Sequence, residues 1–461
     1  MTDDASSTSE ITTDPEASST ADPMIVDALA DYTIPLSTVD PLAEYGDLAP
    51  LSDILSDTRI VGLGEATHGS REFFQLKHRL LRYLVSELDV SVFGLEANFS
   101  ETLALNEYVV HGDGDPKDAL ENLYFWTWSV ESVLELIDWL RAYNADRPVA
   151  DRVRFYGFDA QYTAGAVDAL VEYFERVDGE LRSTVCTDLD RVGDDGTAPH
   201  QDDDLDLRLA AAGRVIPTLR DRLHENRDRY VEASSESGWA LARQHVRVIE
   251  QATEYKRVLY DLDESTLDEE IAMERCLRIR DRAMADNVDW ILGYENADCM
   301  AIWAHDAHVN RVAQTSRHTG ATATSLGGHL AARHGDDYYA MGFSFGHGSF
   351  QAISEVPDSE DDPTYSLRKQ TVDSPPPDTI DSTLAALDHP VAIVYIASAK
   401  NDSLLSDWLA EPRRHRSIGA TYDPECPEAY LTEYVYSVAF DGVCYVDQTS
   451  PARPLDSEEL R

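Results

Sequence analysis

The sequence predicts an α/β protein, with a mainly parallel sheet, flanking helices and an inserted helical lobe over the C-terminal edge of the strands. Three observations lead there. Apolar residues recur by turns at strand length and at helix length, the pattern of parallel sheets with crossover helices. Four strand-like runs end at once in an ionisable residue. From 163 to 297 only helical periodicity remains, broken by an acidic loop at GDDGTAPHQDDD. The expected division is a disordered acidic tail at 1–24, a first part of the core at 25–162, the helical lobe at 163–297 and a second part of the core at 298–461.

The tail, MTDDASSTSEITTDPEASSTADP, lacks the basic and apolar regions of a secretory signal and is too polar to bury a core. RIVGLG (59–64) then runs into Glu65 and His68, VSVFGL (90–95) into Glu96, VRFYGF (153–158) into Asp159, and CMAIWA (299–304) into His305, Asp306 and His308. REFFQLKHRLLRYLVSEL follows the first run and SVESVLELIDWLRAYN precedes the third, both with apolar residues three and four apart. Parallel connections bring strand C-termini to one edge, where α/β folds bind ligands, so these ionisable residues are expected in one cleft. Three further strands are expected at YYAMGFSF, VAIVYIA and GVCYVD, with a helix near STLAALD.

Composition narrows the function. Eighty-six acidic residues against 38 basic ones, only five of them Lys, give a formal charge of −48. Carboxylates spread so widely suit concentrated salt, which screens their repulsion. They also disfavour a nucleic-acid partner, which needs a basic patch. No apolar run reaches the roughly 18 residues of a membrane span. A cytoplasmic location with no membrane partner is therefore expected, and the oligomeric state is left open. Cys186, Cys276, Cys299, Cys426 and Cys444 are odd in number and never form a CxxC pair, which argues against a disulfide framework or a structural zinc site.

Glu65 and His68 stand three residues apart where a strand turns into a helix, and a carboxylate beside a histidine fixes its tautomer and raises its basicity, as a general base requires. A helix cap by Thr67 or Ser70 with a merely structural histidine is the bland alternative. GEATHGSREF, GLEAN, FWTWSVESVLELIDWLRAYN, FYGFDAQ, RIRDRAMADNVDWI, WAHDAHV, RSIGATYDP and GVCYVDQTSPARPL, in that order over roughly residues 45 to 455, resemble the erythromycin esterase family. The resemblance implies a hydrolase that opens ester or lactone bonds, a macrolide ring in known cases, with a histidine base, no cofactor and no required metal. It places the family's first Glu and His on Glu65 and His68, its second-strand Glu on Glu96, its helical Arg on Arg280 and its later His pair on His305 and His308. A basic residue nine positions after the catalytic histidine falls on Lys77, where relatives often carry Arg.

The expected catalytic set is thus His68, Glu65, Glu96, His308 and Arg280. His68 deprotonates water, the two glutamates orient it or the water, His308 supports the far side, and Arg280 faces the developing oxyanion unless it is only a surface ion pair. His305, Lys77, Asp159, Trp126 and Trp128 are expected to contact the small-molecule substrate, the tryptophans as a sugar platform or as cleft wall. GFSFG (342–346) matches G-x-S-x-G, but turn and strand are expected after Ser344 instead of the helix a nucleophile elbow needs. Gly62 and Gly64 begin a phosphate-loop pattern that fails at Thr67. His305 and His308 with Glu65, His68 and Asp159 have the donor types of a zinc or manganese site, so a metal-dependent hydrolase stays open, as does a non-catalytic ligand-binding relative.

Overall fold

The computed structural model describes residues 21–193, 204–263, 267–355 and 365–455. Within them the chain forms strands Thr33–Pro35 (β1), Ile60–Leu63 (β2), Val92–Asn98 (β3), Arg154–Asp159 (β4), Met300–Trp303 (β5), Ala313–Thr315 (β6), Thr322–Thr324 (β7), Tyr338–Glu355 (β8), Tyr365–Val372 (β9), Val391–Val394 (β10), Pro412–Arg416 (β11), Leu431–Val435 (β12) and Gly442–Thr449 (β13). Nine of them make one sheet in the order β1-β10-β13-β8-β2-β5-β3-β4, with β9 paired to β8.

From β13 to β4 every pairing is parallel, while β1, β10 and β9 join antiparallel. The expected mainly parallel sheet is present. β2, β5 and β10 are buried at every position, so both faces of the sheet are covered, as a parallel sheet requires. β5, although it comes some 240 residues later, lies between β2 and β3. Helix Arg71–Glu87 packs Phe73, Phe74, Leu76, Leu80, Leu81 and Leu84 into the core on one side.

The helical stretch is made of Ala164–Val177, Gly179–Val192, Leu205–Glu225, Arg227–Ala233, Glu236–Asp263 and Glu269–Glu295. Its last helix starts on Asp268, whose carboxylate accepts the Glu270 N–H, and stops at Asn296, whose left-handed backbone (φ 50°) ends the helix. That helix carries Arg280 and Asp281 to the strand ends. The acidic loop expected within this stretch lies for the most part outside the described residues, as does the tail, although Pro23 and Met24 already open the helix Pro23–Ala30.

β8 differs from expectation. YYAMGFSF continues without interruption through HGSFQAISE as one 18-residue strand, because Gly348 (φ 124°) takes up the bend that the sequence suggests is a turn. Among the described residues no helix is long and apolar enough to cross a membrane.

Candidate active site

The strand-end residues meet. His68, Glu96, Arg280, His305 and His308 line one cleft of about 290 Å³, with Trp128, Gln161 and Gly419 among its other walls. Glu65 lies directly beneath His68.

After β2 the chain must turn in tight quarters. A Cβ at Gly64 would stand 1.9 Å from Asp306 Oδ1, so only glycine lets β2 pass the buried carboxylate that follows β5. The turn is then pinned on several sides. Thr67 Oγ1 and Ser70 Oγ bond at 2.8 Å, Ile418 donates its N–H to Ala66 at 2.6 Å, and Gln351 donates to the Gly69 carbonyl at 3.1 Å. His68 therefore hangs from a backbone fixed by its own turn and by two distant segments, its side chain 14% exposed to the cleft.

Glu65 is buried and fully engaged. Oε1 lies 2.5 Å from His68 Nδ1, while Oε2 accepts from the Lys77 ammonium and from Trp303 Nε1 at 2.8 Å. Burial raises a carboxylate's pKa, but Lys77 and His68 outweigh it and hold Glu65 below its ordinary value. An ionised Glu65 requires a proton on His68 Nδ1, which leaves Nε2 as the basic nitrogen. Burial brings Lys77 down to about 8 against the pull of Glu65.

Glu96 occupies the irregular register between β3 and β4. Its Oε1 accepts from Arg280 Nη2 at 2.7 Å and its Oε2 from the His305 N–H at 2.9 Å. Despite burial, His308 and Arg280 keep it well below the usual carboxylate range. Arg280 also meets both oxygens of Asp159, with Nη2 2.8 Å from Oδ2 and Nε 3.3 Å from Oδ1, and these carboxylates raise its own pKa against burial.

The two later histidines are opposites. His308 lies 2.9 Å from Asp281 and 3.3 Å from Glu96, which outweigh burial and raise it to about 10, so it is an imidazolium. Its Nε2–H belongs to Glu96, and the 3.1 Å approach of Arg280 is that of two cations sharing one carboxylate. Burial and the neighbouring His68 lower His305 to about 3. The Ala307 N–H donates to its Nδ1 at 3.1 Å, so the ring proton sits on Nε2, a buried donor with no hydrogen-bond partner among the described residues.

Three expected substrate contacts are placed otherwise. Lys77 has no exposed surface and stands behind Glu65, with its ammonium 3.9 Å from the Trp303 ring centre, so it holds the carboxylate instead of a substrate. Asp159, 1% exposed, is consumed by Arg280. Of the tryptophans only Trp128 lines the cleft, its ring edge-on to His68 at 6.4 Å, while Phe125 and Thr127 take the places next to it and Trp126 is not part of the lining.

Ser344 is buried inside β8, and its hydroxyl donates to Asp381 at 2.5 Å with no helix following. Among the described residues no group of three or more His, Cys, Asp or Glu side chains is arranged to hold a metal ion. His415, which no sequence motif marks, is buried between Asp306 (3.2 Å) and Asp381 (3.3 Å), and these raise it to about 9 against burial. It braces Asp306, whose carboxylate receives the Phe343 N–H at 3.0 Å.

A parallel sheet with histidines and carboxylates gathered at its C-terminal edge is an enzyme's architecture. The chain belongs to the erythromycin esterase family, which matches residues 85–449. It is 31% identical over 157 residues to erythromycin esterase type II of Escherichia coli, a match covering 32% of this chain and 36% of that one. It is 25% identical over 426 residues to the putative hydrolase YbfO of Bacillus subtilis (strain 168), covering 89% and 88%. A solved structure of an erythromycin esterase mutant, EreC in its open conformation, superposes with a TM-score of 0.67 at 17% identity, covering 92% of this chain and 99% of that one, a likeness of fold. Family membership and these names support a hydrolase.

Proposed function

We propose that the protein hydrolyses a carboxylic ester or lactone by general-base activation of water at His68. The observation that carries this reading is the chain Lys77–Glu65–His68, which leaves one basic imidazole nitrogen at the only part of that chain open to the cleft.

A water between His68 Nε2 and the carbonyl carbon loses a proton to Nε2 as its oxygen attacks. Glu65 stabilises the imidazolium without taking the proton, because Lys77 and Trp303 already hold its second oxygen. The carbonyl oxygen becomes an oxyanion, and the uncommitted Nε2–H of His305 is the donor available to it, with Arg280 and the His308 imidazolium supplying fixed positive charge. Collapse of the tetrahedral species breaks the C–O bond, and the leaving alkoxide takes the proton back from His68. The products are an acid and an alcohol, or one hydroxy acid from a lactone.

The experiment is hydrolysis of a panel of nitrophenyl esters and lactones, one macrolide included, in high salt by the wild type, His68→Ala and Ser344→Ala. His68→Ala is expected to lose at least about 100-fold in kcat, the scale of a general base, with Ser344→Ala retaining most of the rate. Equal losses in the two variants would overturn the assignment. Protein dialysed against a strong chelator is expected to keep its turnover, and loss restored by zinc or manganese would replace His68 by a metal-bound nucleophile.

A further inference from the structure

The segment RSIGATY separates the cleft from a second cavity that the chemistry above does not use. Gly419 and Ala420 face the cleft, while Arg416, Ile418 and Tyr422 line the cavity, which encloses about 300 Å³. Backbone bonds hold the partition still, from Ile353 N–H to the Ala420 carbonyl and from Tyr422 N–H to the Ile353 carbonyl, both at 2.9 Å.

Arg416 is only 7% exposed, and its guanidinium donates to two backbone carbonyls, Gly346 at 3.0 Å and Asp373 at 3.1 Å, over the Phe345 ring at 5.0 Å. Among the described residues its guanidinium makes no direct ion pair with an Asp or Glu, and burial holds its pKa below the usual arginine value against the pull of the Asp381 and Asp373 carboxylates beyond direct contact. Withdrawing a guanidinium from water with no carboxylate in direct contact with it is unfavourable. Glu428, at the rim, is already engaged by Arg414 at 3.2 Å.

The remaining wall is mixed, with Tyr422 and Tyr430 as its aromatic side and Thr371, Ser374 and the solvent-exposed Asp373 at its rim. Tyr422 and Tyr430 touch at 4.7 Å between centroids, and Arg317, another guanidinium with no Asp or Glu ion pair among the described residues, stacks on Tyr430 at 4.4 Å and donates to Thr421. A volume at the lower end of small-molecule pockets admits one ring and its substituent.

We propose that this cavity binds a small anion carried on a single ring, a carboxylate or phosphate ester, with Arg416 as its counter-charge and Tyr422 and Tyr430 as its wall. The proposal does not depend on ester hydrolysis.

The test is calorimetric titration of the full chain with benzoate, phenyl phosphate and the uncharged benzamide at one fixed, high ionic strength, where long-range repulsion from the −48 surface is screened. At least one of the two anions should bind at least about tenfold more tightly than benzamide, the preference expected of a charge-assisted contact. Arg416→Gln should abolish that preference. Ser374→Trp, on the exposed rim of the cavity, should weaken binding without touching Arg416, and it carries the test if Arg416→Gln does not fold. His68→Ala should bind normally, because the cleft is on the other side of the partition. Competition of the bound anion with ester turnover would make it part of the substrate, and an unchanged KM would make it a separate ligand. The assignment is overturned if neither anion binds, if benzamide binds as well as the anions, or if a folded Arg416→Gln or Ser374→Trp protein binds like the wild type.

Discussion

Lys77→Met tests the foundation of the catalytic chain. The ammonium is buried with 0% exposure, and its partner Glu65 is equally buried, so no water is at hand to replace it. Breaking a buried pair by removing one member costs roughly 3–5 kcal/mol, because the remaining charge is left uncompensated. Glu65 then escapes by taking up a proton. Its folded pKa now lies below 4.5, so the stability it contributes is present above that value and lost as pH falls through the folded pKa; without Lys77 that loss begins at higher pH. A protonated Glu65 no longer fixes the His68 tautomer, and kcat should fall about 100-fold. Urea unfolding at pH 5 and pH 8, with steady-state rates on a nitrophenyl ester, reads both effects. The double variant Lys77→Met, Glu65→Gln should recover part of the stability and none of the rate, because it removes the orphaned charge but not the need for a carboxylate. Wild-type stability and wild-type turnover in Lys77→Met would refute the reasoning.

Gly64→Ala puts a methyl 1.9 Å from Asp306 Oδ1 and 3.0 Å from the Met341 carbonyl, and a loss of about 1–3 kcal/mol in urea unfolding is expected, an unchanged midpoint being the contrary result. His308 has its folded pKa raised from 6.5 to about 10, so the stability it contributes is full below 6.5 and lost as pH rises towards 10. The gap in unfolding free energy between wild type and His308→Gln should narrow over that window, and a gap that widens would show the histidine to be neutral in the fold. Thermal midpoints should rise between dilute buffer and 1 M potassium chloride, where the screening length shrinks to about 3 Å, and a flat response would mean that the −48 charge carries no net strain.

The strand-end cluster was readable because each of β2, β3, β4 and β5 has an ionisable residue within two positions of its C-terminal end, and parallel topology alone brings such ends together. Which way each side chain faces was not readable. Lys77 looks like a cleft residue from its spacing to His68, yet in helix Arg71–Glu87 it points inward to Glu65, and Asp159 is drawn off by an arginine 121 residues away. His415 gave no signal, since its role depends on Asp306, 109 residues earlier, and on Asp381, neither of which shares a local pattern with it. β9 escaped notice because YSLRKQTV is mostly exposed and polar, held by its pairing with β8 instead of by burial.

The place of β5 has a consequence for how the molecule comes into being. β2 and β3 never pair with each other, so a chain emerging from the ribosome carries two open parallel edges until residues 300–303 arrive to bridge them. Unpaired edges invite association with other chains, and contacts this remote in sequence form slowly. Every partial chain that ends before β5 also lacks His305 and His308, so the cleft stays incomplete until the sheet's centre is filled. A chain stalled inside the long helices therefore exposes both edges to chaperones before its cleft is complete.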